Sequence, residues 1–119
     1  MKFDTYVCVG DSITIEKGAF TVRVHLEFDG ASRPSDCDCY SDDDVQRWRD
    51  DEWFYGGLVA SVWIDDVCID DHAASLWSID CNFGKDNACL DDVAADLIAE
   101  IDFDALAARL AAMAAKAAA

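Results

Sequence analysis

One stretch of the chain alternates strictly. Phe20, Val22, Val24, Leu26 and Phe28 are interleaved with Thr21, Arg23, His25 and Glu27, as a half-buried antiparallel strand requires. Ala19–Phe28 is therefore predicted as a strand, joined through Glu16-Lys17-Gly18 to a shorter one at Ile13-Thr14-Ile15. Phe3–Val9 also alternates and predicts a first strand, with Phe3, Thr5, Val7 and Val9 on one face and Gly10-Asp11-Ser12 as its stop. Further on, Leu58–Ile64 reads as a strand, Asp65-Asp66 as a turn and Val67–Ile79 as the returning strand. The Asp70-Asp71 pair marks a bulge or second turn within it. Trp63 and Trp77 then fall on neighbouring strands.

Helical spacing appears elsewhere. After the loop Asp29–Cys39, which holds the only proline, Ser41 reads as an N-cap with Asp44 three residues on, in a variant capping box. A short helix over Asp42–Glu52 follows, with Val45 and Trp48 as its apolar face and Gly56-Gly57 as its breaker. Cys89–Ile101 is amphipathic, with Val93, Leu97, Ile98 and Ile101 toward a core and Asp91, Asp92 and Asp96 toward water. Asp102 or Asp104 caps a last helix carrying Leu106, Leu110 and Met113. Its alanine-rich end, residues 113–119, has little to bury and is expected to fray. Strands first and helices after, with one helix between two hairpins, predict an α+β fold. The expected form is an antiparallel sheet of about four to five strands, with one inserted short helix and C-terminal helices packed on one face. The 119 residues make a single domain, 1–119.

Composition narrows the function. Thirteen aromatic residues separate the chain from disordered acidic tails. Twenty-five acids oppose nine bases, for a net charge of -16. Solubility alone is served by a net charge of about 2–8 in magnitude for a small domain, so the excess calls for another cause. Nucleic acid fits poorly as a ligand: phosphate binding needs clustered Lys and Arg, and the five arginines are scattered or flanked by aspartates. No apolar run is long enough to span a membrane, and MKFDTYVCVGD has no signal-peptide pattern, so the expectation is a cytoplasmic protein. In that compartment the six cysteines are expected as reduced thiols rather than as a disulfide framework.

Candidate chemistry is sparse. Cys37-Asp38-Cys39 is the one closely spaced pair, tighter than a zinc knuckle, and Cys68, Cys81, Cys89, His25 and His72 supply no second pair. A nucleophilic Cys68 beside His72 would need a positive environment, whereas Asp65, Asp66, Asp70 and Asp71 surround it. Ser41-Asp42-Asp43-Asp44 lacks the glycine and the distal glutamate of a calcium loop. With so many aspartates, some carboxylate pair always lies at a suitable distance for glycosidic chemistry, so the pairing carries no signal. No enzyme, no cofactor and no metal are expected.

The acids themselves remain. Twenty-one are aspartate and four glutamate, and aspartate's short side chain holds its carboxylate near the backbone at low rotamer cost. They gather as Asp42-Asp43-Asp44, Asp50-Asp51-Glu52, Asp65-Asp66 and Asp70-Asp71, with Trp53 and Tyr55 as aromatic anchors at the edge. Duplex DNA carries one negative charge per about 1.7 Å of axis, and proteins read it through Lys and Arg. A stiff body with carboxylates on a helix and on hairpin ends presents a comparable field to the same basic channel. These twelve residues are the expected partner-binding surface.

Asp38-Cys39-Tyr40, Trp48-Arg49, Glu52-Trp53-x-Tyr55-x-Gly57 and Ala74-Ser75-Leu76-Trp77-x-Ile79 together resemble small proteins carried by phages and mobile elements. The chain is similar in size and charge to the anti-CRISPR and anti-restriction inhibitors such elements encode, several of which imitate DNA. The resemblance implies an inhibitor that occupies a basic nucleic-acid-binding surface, possessed for instance by a CRISPR effector complex. Two other readings stand beside it: an acidic accessory protein that binds a basic host protein without imitating DNA, and a salt-adapted soluble domain. On the first reading, reversing Asp42-Asp43-Asp44 or Asp65-Asp66 to lysine is expected to weaken partner binding and leave the fold intact.

Overall fold

Alternation along the second strand decides where the core lies. The structure, a computed structural model, describes residues 2–118. Strands β1 (Ser12–Lys17), β2 (Phe20–Phe28), β3 (Phe54–Ile64) and β4 (Val67–Cys81) form one antiparallel sheet in that order. Helix α1 (Asp42–Arg49) is inserted between β2 and β3, and α2 (Ala88–Glu100) and α3 (Phe103–Ala118) follow the sheet. This is the α+β architecture expected, with four strands. Phe20, Val22, Val24 and Leu26 are buried on one face, in register with Ile13 and Ile15 of β1 and with Leu58, Ala60 and Val62 of β3. Leu90, Ala94, Leu97 and Ile98 of α2 close over that face. Val93 and Ile101 are only half-buried at the margin, and Phe28 ends its strand exposed.

The two hairpins form where turn chemistry asks. β1 and β2 join through Gly18-Ala19, and Gly18 takes the left-handed φ of 62° that a tight hairpin needs at its first central residue. β3 and β4 join through Asp65-Asp66, with Asp65 at φ 52°. Asp70-Asp71 does mark a bulge: Ala60 pairs with Ala74 but Val62 with Asp70, so Asp71-His72-Ala73 swells out opposite Ser61. β4 is a long edge strand, and its three register shifts against β3 break the flat row of backbone groups that would recruit another strand.

Three expectations are corrected. Phe3–Val9 is not a strand, because side chains rather than a neighbouring strand take up its backbone. Phe3 N–H donates to Asp91 Oδ1 (2.8 Å), Val7 N–H to Asn82 Oδ1 (3.0 Å), and Val7 C=O accepts from Asn82 Nδ2 (2.9 Å). Asp91 is thereby half-buried at the start of α2 instead of facing water, while Asp92 and Asp96 are exposed as expected. Gly56 and Gly57 do not break a helix; they lie buried within β3. A Cβ on Gly56 would stand 2.7 Å from Leu26 Cδ1 and 3.0 Å from Cys81 Sγ, and one on Gly57 would run into the Trp77 ring that lies flat across it. These glycines are places of close approach.

α1 ends instead in a closed C-terminal motif. Asp51 adopts φ 60°, its N–H donates to Trp48 C=O (3.1 Å), and Glu52 N–H donates to Arg47 C=O (2.9 Å). A short polar side chain tolerates this left-handed backbone, which is how aspartate takes the place glycine usually fills. At the other end of the molecule α3 begins on Asp102, whose Oδ1 accepts from Ala105 N–H (3.0 Å). Phe103, Leu106 and Leu110 join Phe20, Val62, Ile64 and Ala73 in a second apolar cluster. From Ala111 to Ala118 the helix continues with every residue exposed, and Ala119 lies outside the described residues. The molecule is elongated, 63 × 25 × 20 Å. Among the described residues no helix is long and apolar enough to cross a membrane.

Candidate interaction surface

The sequence places three aspartates in the first turn of α1, where the helix dipole favours negative charge. Ser41 caps the helix as expected: its Oγ accepts from Asp44 N–H (3.1 Å), and Asp44 Oδ2 accepts from Ser41 N–H (3.1 Å). Asp42 and Asp43 are exposed and free to face a partner, whereas Asp44 is half-buried and spends its carboxylate on the cap. Asp50, Asp51 and Glu52 are exposed at the C-terminal end of the helix. Arg47 lies 3.7 Å from Asp44 and 4.0 Å from Glu52, and its Nη2 donates to Phe83 C=O (3.0 Å).

Beneath α1 lies an aromatic cluster that fixes it to the sheet. The Trp53 ring stacks on Tyr40 (5.1 Å between centroids) and meets Tyr55 and Phe83 edge-on (5.2 and 5.0 Å), and its indole N–H donates to Asp44 C=O inside the helix (2.9 Å). The sequence suggests Trp53 and Tyr55 as anchors at the edge of a partner surface, and here it misleads. They are 1% and 5% exposed, so they hold the acidic helix from within and leave no ring for a partner. Tyr40 donates to Asp80 Oδ2 (3.2 Å); burial, the contact with Tyr55 and the nearby Asp80 carboxylate push its hydroxyl well above the usual phenol range. It stays a neutral donor.

The loop that leads into α1 is tied down by Asp29. Its buried carboxylate accepts from the backbone N–H of Ala31 (2.9 Å), Ser32 (3.2 Å) and, across on β4, Ser78 (2.9 Å), and from the Ser32 hydroxyl (2.9 Å). Burial alone would raise its pKa, but the hydrogen bonds together outweigh it and hold the group below its ordinary value of 3.8. A carboxyl depressed in the folded state contributes stability that is present above 3.8 and is lost as the pH falls through the folded value. The Asp29→Asn variant should therefore show its full loss of urea midpoint at neutral pH. That loss should narrow as the pH is taken below 3.8 and wild-type Asp29 also becomes protonated.

The remaining predicted acids sit at the far end of the sheet. Asp65 and Asp66 form the exposed β3–β4 turn, Asp71 is exposed on the bulge, and Asp70 is half-buried with its Oδ1 accepting from His72 N–H (3.1 Å). The structure thus divides the ten predicted acids into two sets: α1 stands at the start of β3 and the Asp65–Asp71 set at its end, while Asp92, Asp96 and Glu100 of α2 are exposed elsewhere. The 11 residues of β3 between them span roughly 33 Å. Ion pairing neutralises little of either set. Among the described residues, Arg47 makes the only contacts within 4.0 Å between an arginine or lysine and an acid.

The face of the sheet opposite α2 carries a groove of about 520 Å³ that the sequence pattern does not single out. Arg23 stacks over the Trp63 ring (4.9 Å), whose indole N–H donates to Ser61 Oγ (2.9 Å), and His25 stands 3.3 Å from Glu27. The polar half of the β2 alternation is the signal for this face. Cys37 and Cys39 are bonded to each other, correcting the expectation of six reduced thiols, since the turn brings their Cα atoms within 5.4 Å. Cys8, Cys68, Cys81 and Cys89 are free; burial pushes the Cys81 thiol up to about 12. His72 Nε2 shares a hydrogen bond with Ser75 Oγ (2.8 Å). Among the described residues no three His, Cys, Asp or Glu side chains are placed to hold a metal ion. No protein-family model, curated protein or solved structure matches the chain.

Proposed function

We propose that this chain is a non-enzymatic inhibitor of a nucleic-acid-binding defence complex, of anti-CRISPR type, whose carboxylates occupy a Lys/Arg-lined DNA or RNA site. The observation that carries the reading is the placement of two exposed, largely unneutralised acidic sets at opposite ends of one strand. The 11-residue strand between them spans roughly 33 Å, a length comparable with one turn of B-form DNA, about 34–36 Å. Antiparallel sheet and buried aromatics keep both sets at fixed distance, so little ordering entropy opposes docking.

The test must respect what the acids do at home. Asp44 caps α1 and Asp65 sits at φ 52°, so reversing either to lysine would disturb the fold as well as the charge. Asp42→Asn with Asp43→Asn at one end, and Asp66→Lys with Asp71→Lys at the other, change exposed groups only. Each pair is expected to lower affinity for a captured CRISPR effector complex by on the order of tenfold, mostly through slower association, and to flatten the salt dependence. Excess target duplex should displace the protein. Unchanged affinity in both variants overturns the proposal, and a complex that persists under excess duplex identifies an accessory protein that does not imitate DNA.

A further inference from the structure

The bond between Cys37 and Cys39 joins residues two apart and ties no two elements of the fold together. So short a closure removes little freedom from the unfolded chain and makes a weak staple. Both residues are exposed, unlike Cys81, which is free and fully buried. Exposed disulfides are the ones that thiols reach and reduce. Where a compartment keeps thiols reduced, a disulfide is transient, catalytic or redox-sensing. The bond opens on a cleft of about 320 Å³, lined also by Arg33, Asp36, Tyr40 and Ser78, so an incoming thiol has a place to lodge.

The two sulfurs are not equivalent. Cys39 N–H donates to Cys37 Sγ (3.3 Å), and a donor at that sulfur stabilises negative charge developing on it. Cys37 is therefore the better leaving group, and attack belongs at Cys39 Sγ. We propose that this pair is a thiol–disulfide exchange site that accepts two electrons from a dithiol. One thiolate of the dithiol bonds to Cys39 Sγ and breaks the Cys37–Cys39 bond, and Cys37 leaves as a thiolate that takes up a proton. The second thiol of the reductant then loses its proton and attacks the reductant's own first sulfur. That closes a disulfide in the reductant and releases Cys39, which is protonated in turn. The protein ends with two thiols and the reductant with one disulfide.

The state of this bond bears on α1. Tyr40, next in the chain, stacks on Trp53 and donates to Asp80. Ser41 follows and caps the helix, its Oγ accepting from Asp44 N–H (3.1 Å) and its C=O from Val45 N–H (3.1 Å). Reduction returns freedom to the residues immediately before this cap. For a closed loop of three residues the chain-entropy relation corresponds to roughly tenfold in the opening of the segment.

The test is alkylation and amide exchange on the whole chain, oxidised beforehand with glutathione disulfide. Under native conditions residues 37 and 39 are expected to resist iodoacetamide until dithiothreitol is added and then both to label, with the circular dichroism spectrum unchanged. With reduced glutathione in place of dithiothreitol, acid quenching should trap the mixed disulfide on Cys39. The amides of Asp44 and Val45 should exchange roughly tenfold faster after reduction, and those of β2 and β3 at their former rate. Cys37→Ser with Cys39→Ser, both at exposed positions, should show the fast exchange from the outset and no response to dithiothreitol. A bond reduced only after urea unfolds the chain overturns the proposal. So does labelling of residues 37 and 39 before any reductant is added, or a mixed disulfide trapped on Cys37. Exchange at Asp44 and Val45 that is indifferent to reduction, or that still responds in the double variant, overturns the link to α1.

Discussion

Replacing Trp53 with alanine should destabilise the protein by about 3–5 kcal/mol, the range for removing a large aromatic side chain from a packed interior. The indole is the hub of the cluster beneath α1, in contact with Tyr40, Tyr55 and Phe83 and hydrogen-bonded to the helix backbone at Asp44. Each aromatic pair is worth about 0.5–1.5 kcal/mol beyond its buried area, so the site cannot lose the ring and collapse cheaply. Trp77→Ala is the control. That ring is 41% exposed and covers Gly57, and its removal should cost under about 1.5 kcal/mol. Urea unfolding followed by far-ultraviolet circular dichroism separates the two. Equal losses, or a larger one at Trp77, would mean that α1 is not held to the sheet through Trp53. The functional consequence follows from the same mount: with Trp53 gone, Asp42 and Asp43 lose their fixed position, and affinity for a basic partner should fall although no acid has been changed.

The contrast between these two tryptophans shows what can be read from the chain and what cannot. The β2 alternation, the β3–β4 hairpin with its Asp70-Asp71 bulge, the Ser41 cap and the apolar face of α2 all depend on residues close in sequence, and each is legible. Trp53 follows an acidic run and precedes a pair of glycines, which suggests a surface. Its burial depends on Tyr40 and Phe83, which reach it from a preceding loop and from beyond β4. The glycines mislead in the same way. Gly56 is small because Leu26 and Cys81 close in on it from two neighbouring strands, a demand no local pattern displays. The helix stop that the glycines suggest is made by Asp51 in a left-handed turn.

On the proposed function, docking of the two acidic sets into a basic channel exchanges attraction between unlike charges and should weaken as salt rises, so a salt titration of partner binding tests the assignment directly.

The second large effect is expected at Asn87, where the alternation of Phe3–Val9 fails to produce a strand. Asn87 is buried, and its amide donates to Thr5 C=O (2.8 Å) and to Asn82 Oδ1 (2.9 Å) while its own oxygen accepts from Asn82 N–H (2.8 Å). Asn82, with φ 62°, in turn brackets both backbone groups of Val7, a core residue 1% exposed. Two carboxamides thus stand in for the missing neighbouring strand. Asn87→Ala leaves the half-buried Asn82 N–H without its partner, at about 1–3 kcal/mol for the orphaned group, while the exposed Thr5 turns its C=O to water, so a loss on the order of 2 kcal/mol is expected. The same substitution should release the Val7 amide to exchange with solvent well before the amides of β2 and β3, because its only acceptor is an Asn82 side chain that Asn87 holds in place. If Val7 keeps its protection in Asn87→Ala, apolar burial of its side chain alone secures the segment and the paired amides are incidental.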